Sequence, residues 1–182
     1  MRREGILPLA AALSCSAAST ATVLDVAGTY TLSVVDGTND CGVANVTPGR
    51  SVGGVPLTIT QAYDAGVPQT LTVTLGGAPG QSLTSAVGTN VLTGTLGGAQ
   101  ATLTPAPIDA GAPTVDASSC SYTTNASLGL SFAGNTVQGT LTYTLSTTGL
   151  GCGALASCQT VQAFAGVLAP AVDLDASRRD DG

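Results

Sequence analysis

CSYTTNASLGLSFAGNTVQGTLTYTLST, residues 120–147, alternates between apolar and polar side chains, and it does so in two opposite phases. Up to Phe132 the apolar residues occupy mostly even positions, and from Val137 onward they occupy mostly odd positions. A period of two is the signature of a half-buried strand, and a two-residue Gly134-Asn135 turn explains the inversion. The predicted cross-strand pairs, apolar against apolar, are Phe132 with Val137, Leu130 with Gly139, Leu128 with Leu141 and Ala126 with Tyr143.

Two further hairpins repeat this pattern. In one, the apolar residues Leu57, Ile59 and Tyr63 occupy odd positions, as do those from Leu71 onward, on either side of a predicted three-residue loop at 64–66. In the other, a Gly97-Gly98 turn places Leu96 opposite Ala99. The remaining strands are predicted at 27–35, 83–87 and 160–168.

Eight or nine strands in hairpin order, each with one apolar face, have to close on themselves or stack as two sheets. Long strands and short turns favour an all-β fold, an antiparallel meander forming an up-and-down barrel of about eight strands, with a β-sandwich as the alternative. Small residues on the predicted inward face let large neighbours pack or leave space for an apolar ligand, and packing is the favoured interpretation. They are Gly94, Ala99, Ala101, Ala126 and Gly139.

The composition excludes several classes of function. The formal net charge is −6 and only 9% of residues are charged, so the five Arg residues cannot neutralise a row of nucleic-acid phosphates. The chain has no His and no Lys, and its only Glu is Glu4, which removes Ser-His-Asp, Cys-His and Schiff-base chemistry. The sequence therefore predicts a protein that is not an enzyme and that carries no cofactor and no metal.

The first residues read as a secretory signal peptide, residues 1–14. Met1-Arg2-Arg3 is a basic start, and an apolar segment at 6–13 is too short to cross a bilayer as a helix. The end of this segment, LAAALSC, resembles the lipobox of bacterial lipoproteins, which implies that Cys15 is lipidated and becomes the mature N-terminus. With Ser16 following, the resemblance implies a lipid anchor in the bacterial outer membrane. The alternative is ordinary cleavage near 17–21 and secretion, with Cys15 discarded.

The rest of the chain divides into a tether, one domain and a tail. Residues 15–25 have the composition of a flexible tether, and residues 26–169 form a single β-domain. Within that domain, residues 36–40 predict a turn and residues 105–118 predict a mobile loop. Residues 170–182 are polar and without pattern, which predicts a disordered tail.

The chain has five cysteines, an odd number, so in an exported protein at least one of them would not form an intramolecular disulfide. If Cys15 carries lipid or leaves with the signal, the other four form an even set for two disulfides in an oxidising compartment. Three pairings are possible, and we favour the local bridge Cys152–Cys158 with Cys41–Cys120 as the long-range one. A zinc site is the competing explanation, but the chain has no Cys-x-x-Cys pair.

Two non-enzymatic functions follow. In the first, the protein is a membrane-anchored module that is structural or contacts an envelope protein. In the second, the barrel holds a small apolar ligand. The ligand hypothesis requires an interior cavity, whereas the first expects a core filled by large side chains, namely Leu128, Leu130, Phe132, Leu141 and Tyr143.

Overall fold

The computed structural model of the chain describes residues 24–63, 69–107, 114–117 and 120–170. These residues contain nine strands, one α-helix, α1 (Gly77–Val87), and one 3-10 helix (Gly153–Ser157). The strands are β1 (Gly28–Asn39), β2 (Ser51–Ala62), β3 (Gln69–Leu75), β4 (Val91–Gly97), β5 (Gln100–Pro105), β6 (Thr114–Ala117), β7 (Cys120–Ala133), β8 (Thr136–Thr148) and β9 (Gln159–Leu168).

Eight of the strands close into an antiparallel up-and-down β-barrel. Each of β1 to β4 pairs with the next strand along the chain, as do β7 and β8, and β9 returns to pair with β1. The ring closes where β5 pairs with β7, from Gln100 opposite Ser131 to Leu103 opposite Leu128. β6 lies outside the ring and pairs only with the first residues of β7. The predicted barrel is confirmed.

The β7–β8 hairpin has the predicted register. Phe132 lies opposite Val137, Leu128 opposite Leu141, and the other two predicted pairs also hold. Gly134 has a φ of 56°, the positive value that a type II′ turn needs at its first central residue. The inversion of the apolar pattern therefore identified both the turn and the register.

The β4–β5 hairpin has the predicted faces but a register two residues away from the prediction. Leu96 pairs with Ala101 rather than Ala99, because the turn is Gly98-Ala99 and not Gly97-Gly98. Gly98 has a φ of 63° and takes the first central position. A shift of two residues keeps the side chains of both strands on their predicted faces. Ala99 is the exception, because it becomes an exposed turn residue and not an inward one.

The β2–β3 hairpin keeps odd positions opposite odd positions, as predicted. Ile59 pairs with Val73, and the last pair is Ala62 with Thr70. The predicted three-residue loop at 64–66 lies outside the described residues.

Three other predictions within the domain are wrong. Residues 83–87 belong to α1 and not to a strand. Asp36 to Asn39 continue β1 rather than forming a turn, because they pair with the start of β9. The predicted loop at 105–118 begins with the last residue of β5 and contains β6, which pairs with β7.

The terminal predictions concern residues that the structure does not describe. The signal peptide at 1–14 and Cys15 lie outside the described residues, as does the tether at 15–25 except for its last two residues. Of the tail at 170–182, only Pro170 is described.

The two ends of the barrel differ. We call one the disulfide end, because Cys41, Cys120, Cys152 and Cys158 lie there together with α1 and the loop at 40–50. The other is the turn end, which has the tight turns at 98–99 and 134–135 and both ends of the barrel chain. α1 contacts β2 and β3 on one side of the disulfide end and β7 across it. The helix therefore lies over the opening of the barrel.

Large side chains fill the barrel interior. The five residues expected in a packed core, Leu128, Leu130, Phe132, Leu141 and Tyr143, are all buried. Glycines let two large side chains approach the wall, because a Cβ on Gly139 would lie 2.5 Å from Phe164 Cζ, and one on Gly166 would strike Leu32. The small inward residues of β8 and β9 thus serve close packing.

Candidate functional site

The four cysteines of the domain form two disulfides at one end of the barrel, Cys41–Cys158 and Cys120–Cys152. The set of four is as expected, but the favoured pairing of Cys152 with Cys158 is wrong. The physical reason is the sheet order. Cys41 follows β1 and Cys158 precedes β9, which are paired strands, while Cys120 begins β7 and Cys152 follows its neighbour β8.

The disulfides fix a short surface loop at both ends. Cys152 and Cys158 flank the 3-10 helix Gly153–Ser157, which has no buried residue. Just before it, Leu150 is 107% exposed, so its whole side chain projects into solvent. The loop is held by covalent bonds rather than by a core of its own.

A buried carboxylate links the loop at 40–50 to the barrel. Asp36 is 4% exposed. Its Oδ1 accepts a hydrogen bond of 2.7 Å from Gln162 Nε2, and its Oδ2 accepts one of 3.0 Å from the Thr47 backbone N–H. The Gln162 side-chain oxygen in turn accepts a hydrogen bond of 3.3 Å from the Tyr143 hydroxyl. Three strands and the loop therefore share one chain of hydrogen bonds.

Asn39 makes a second connection to the same loop. Its Nδ2 donates to the carbonyl oxygens of Val43 and Val46, at 3.0 and 2.8 Å. Its Oδ1 accepts from the Val43 N–H and from the Thr160 hydroxyl, both at 2.8 Å. The amide thus reproduces the hydrogen bonding of a short turn and holds Val43 and Val46 in the core.

These polar groups are engaged with one another. Among the described residues, no buried side-chain nitrogen or oxygen lacks a hydrogen-bond partner. A buried polar network that is fully satisfied rigidifies a core. The arrangement is that of a structural plug at the disulfide end.

Burial and nearby charge alter the acidity of two tyrosines. Burial raises the pKa of the Tyr143 phenol above its ordinary value, and the Asp36 carboxylate adds to the shift. Burial also raises the pKa of Tyr30, with a smaller contribution from Asp25. Both shifts favour the neutral phenol, which suits groups that act as hydrogen-bond donors inside a core.

At the turn end, the pKa values of an exposed pair are shifted mainly by a direct hydrogen bond and not by burial. A hydrogen bond from the Tyr63 hydroxyl lowers the pKa of Asp25, and a second one donated by the Ala27 backbone N–H lowers it further. The same contact raises the pKa of Tyr63. The pair lies where the chain enters the barrel.

A trough lies on the outside of the barrel, over β5, β7, β8 and β9, with a volume of about 570 Å³. We call it the outer trough. Gly129 forms its floor, because a Cβ there would have no neighbour nearer than the Thr140 carbonyl at 4.0 Å. Its polar side chains are Gln100, Thr102, Ser131, Gln138 and Thr140.

The described part of the chain holds no group of three or more His, Cys, Asp or Glu side chains arranged for a metal ion. Within the same residues, no helix is both long enough and apolar enough to cross a membrane.

Comparison with known proteins gives no relative. No protein-family model, no curated protein and no solved structure matches this chain. The chemistry of its own residues is therefore what bears on its function.

Sequence reasoning missed the Asp36 network, although the sequence held one signal for it. In the segment 160–168 the inward set begins with Thr160 and Gln162, and the outward set contains Val161 and Ala163. An inward face that starts with two polar residues indicates a polar partner inside the barrel. The partner itself, Asp36, lies in the segment 36–40, for which the sequence predicts a turn.

Proposed function

We propose that the protein is a non-enzymatic exported lipoprotein, anchored through Cys15 and serving as a structural or interaction module of the bacterial cell envelope. The observation that carries this proposal is the filled barrel. Because the interior is occupied by large side chains, contact with a partner takes place on the outer surface and at the two ends.

The disulfides support export, because such bonds persist in oxidising compartments and are rare in the cytosol. The low content of charged residues fits the same setting. The outer faces of the strands carry mainly Thr, Ser and Gln, which are solvated without holding a fixed charge.

An anchor at Cys15 would also imply an orientation of the domain relative to the membrane. Residue 28, the start of β1, lies at the turn end, so a tether that runs from Cys15 would bring this end toward the membrane. The disulfide end, with α1 and the loop that carries Leu150, would then face away from the lipid.

Intact-mass measurement tests the proposal. The full chain is isolated from membranes of the expressing bacterium, and its mass is determined under native and denaturing conditions, beside a Cys15→Ala control. We expect a chain that begins at Cys15 with a lipid-sized increment, which the control lacks. An unlipidated chain beginning after Cys15 would contradict the anchor, and a co-purifying apolar molecule released on unfolding would favour a ligand-binding barrel instead.

A further inference from the structure

The outer trough is built from two cross-strand rows of side chains. In one row Thr102, Gly129, Thr140 and Ala163 lie opposite one another on four adjacent strands. In the next row, two residues along each strand, the order is Gln100, Ser131, Gln138 and Ala165. Since neighbouring strands lie about 4.8 Å apart, the trough runs roughly 14 Å across the barrel wall.

Gly129 creates the depression. The threonines on either side of it, Thr102 and Thr140, project outward, while the glycine contributes no side chain between them. A Cβ would fit at this position without meeting anything closer than 4.0 Å. Gly139 differs, because it is needed for packing against Phe164. The space over Gly129 is therefore open to an external group.

The lining is uncharged and combines polar side chains with apolar surface. None of the described residues that line the trough is acidic or basic. Gln100 and Gln138 each offer an amide, and Thr102, Ser131 and Thr140 each offer a hydroxyl, so every one of these side chains can both donate and accept. Within the described chain, none of the five is engaged in a side-chain hydrogen bond, whereas Asn125 nearby is bonded to Ser146 at 2.7 Å.

These properties restrict the class of ligand. A phosphate, a nucleic acid or an acidic polymer would require cationic side chains. An added peptide strand would require an unpaired sheet edge, but in the trough β7 is paired with both β5 and β8. A neutral polysaccharide presents hydroxyl groups that donate and accept, which matches the polar side chains of the lining, and its apolar ring faces can rest on Ala163.

We infer that the outer trough binds a segment of a neutral polysaccharide. This inference rests on the proposed function as an envelope interaction module, and it names the chemical class of the partner. The chain has no Trp to serve as a stacking platform, so recognition relies on hydrogen bonds to the two polar rows. Binding is therefore expected to be weak for a single sugar and measurable for a polymer, which fills the whole trough.

A sedimentation assay with the full-length protein tests this. Protein extracted from membranes is mixed with insoluble cellulose, chitin, β-1,3-glucan or mannan, and with a calcium-pectate gel as the anionic polymer, and the free protein is measured. We expect at least one neutral polymer to retain the protein more strongly than pectate. Gly129→Val, which fills the depression, should lower that association constant at least tenfold.

The matched control is Gly53→Val, on β2 at the opposite side of the barrel, where a Cβ also has open space. It should bind as the wild type does. Gln138→Ala provides a second variant in case Gly129→Val proves unstable, and it should also weaken binding. Lack of retention on every neutral polymer, stronger retention on pectate, or unchanged binding by both trough variants would overturn the inference.

The same preparation separates this inference from the lipid anchor. Its intact mass reports the lipid on Cys15 independently of the trough. A lipidated chain that binds none of the neutral polymers would sink only the polysaccharide site. An unlipidated chain that binds one would sink only the anchor.

Discussion

Gly139 and Gly129 lie on neighbouring strands but meet very different surroundings. A Cβ on Gly139 would lie 2.5 Å from Phe164 Cζ and would also strike the Gly129 carbonyl oxygen, whereas a Cβ on Gly129 has no neighbour closer than 4.0 Å. We expect Gly139→Ala to lower the free energy of unfolding by about 1–3 kcal/mol through overpacking.

Gly129→Ala is the matched control for that substitution. It should be neutral or stabilise slightly, because Gly costs a strand roughly 0.5–1 kcal/mol relative to Ala. Urea unfolding of the two variants and the wild type measures both effects. Equal stability of Gly139→Ala and Gly129→Ala would show that Phe164 does not pack against β8 as described.

Because the Tyr143 phenol is buried, we expect the folded protein to lose stability at alkaline pH. Its folded-state pKa is raised by burial, so its contribution is complete below the ordinary phenol pKa of about 10 and is lost as the pH rises above that value. We expect the urea midpoint of the wild type to fall between pH 9 and pH 11, and that of Tyr143→Phe to fall less.

Two features make the alkaline experiment specific. Tyr143→Phe should be less stable at pH 7 by about 0.5–1.5 kcal/mol, because the hydrogen bond to Gln162 is lost. Tyr63→Phe is the control, since Tyr63 is exposed and solvent screens its contact with Asp25. Parallel alkaline curves for the wild type and Tyr143→Phe would mean that Tyr143 ionises as readily in the folded protein as in the unfolded one.

At the scale of elements, α1 closes the barrel through a small number of apolar contacts. Leu83 is fully buried, while Leu150 in the disulfide loop is 107% exposed. We expect Leu83→Ala to destabilise the protein by about 2–5 kcal/mol, because it leaves a cavity under the helix. Leu150→Ala removes the same side-chain atoms, but at a site where they contact only solvent. It should change stability by less than about 0.5 kcal/mol. Thermal or urea unfolding distinguishes the two, and similar losses would mean that α1 does not cover the core.

The two disulfides should contribute unequally. Cys41–Cys158 closes a loop of 117 residues and Cys120–Cys152 one of 32. In the chain-entropy model these loops correspond to about 5 and about 4 kcal/mol. We expect Cys41→Ser with Cys158→Ser to destabilise the domain by about 1 kcal/mol more than Cys120→Ser with Cys152→Ser. Non-reducing peptide mapping checks the pairing, and a Cys152–Cys158 peptide would contradict it.

How far these elements follow from the sequence depends on how local their causes are. The β7–β8 hairpin could be predicted because its turn and its alternation lie in one continuous stretch. α1 could not, because GAPGQSLTSAV has no regular apolar period and contains two glycines and a proline. Pro79 is tolerated in the first turn of a helix, and the helix is stabilised by contacts with strands distant in sequence.

The candidate sites follow the same rule. The set of four bonded cysteines could be predicted from their number, but their pairing depends on which strands are neighbours in the barrel. The outer trough requires Gly129 to lie between Thr102 and Thr140, and that row depends on the closure of β5 against β7. Single-strand alternation gives the face of each residue but not its neighbours across the sheet.

At the scale of the whole molecule, the barrel brings the two ends of its chain together. The Ala169 N–H donates a hydrogen bond of 2.8 Å to the Thr29 carbonyl oxygen, and Tyr30 pairs with Leu168. The turn at 98–99 lies at the same end and is exposed. A chain that starts at a different point of the ring could therefore form the same order of paired strands.

We accordingly expect a circular permutant to fold. Residue 169 is joined to residue 26 through a short Gly-Ser linker, and new termini are placed between Gly98 and Ala99, so that β4 and β5 keep all partners but lose their connecting turn. Adjacent termini and an exposed tight turn are the conditions under which permutation is tolerated. The permutant should retain both disulfides and unfold cooperatively, with a loss of a few kcal/mol at most.

A control opened between Leu128 and Gly129, within β7, interrupts the ladders to β5 and β8 together and should fail to form the native disulfides. Failure of the first permutant with success of the second would mean that the ring is closed elsewhere than between β5 and β7.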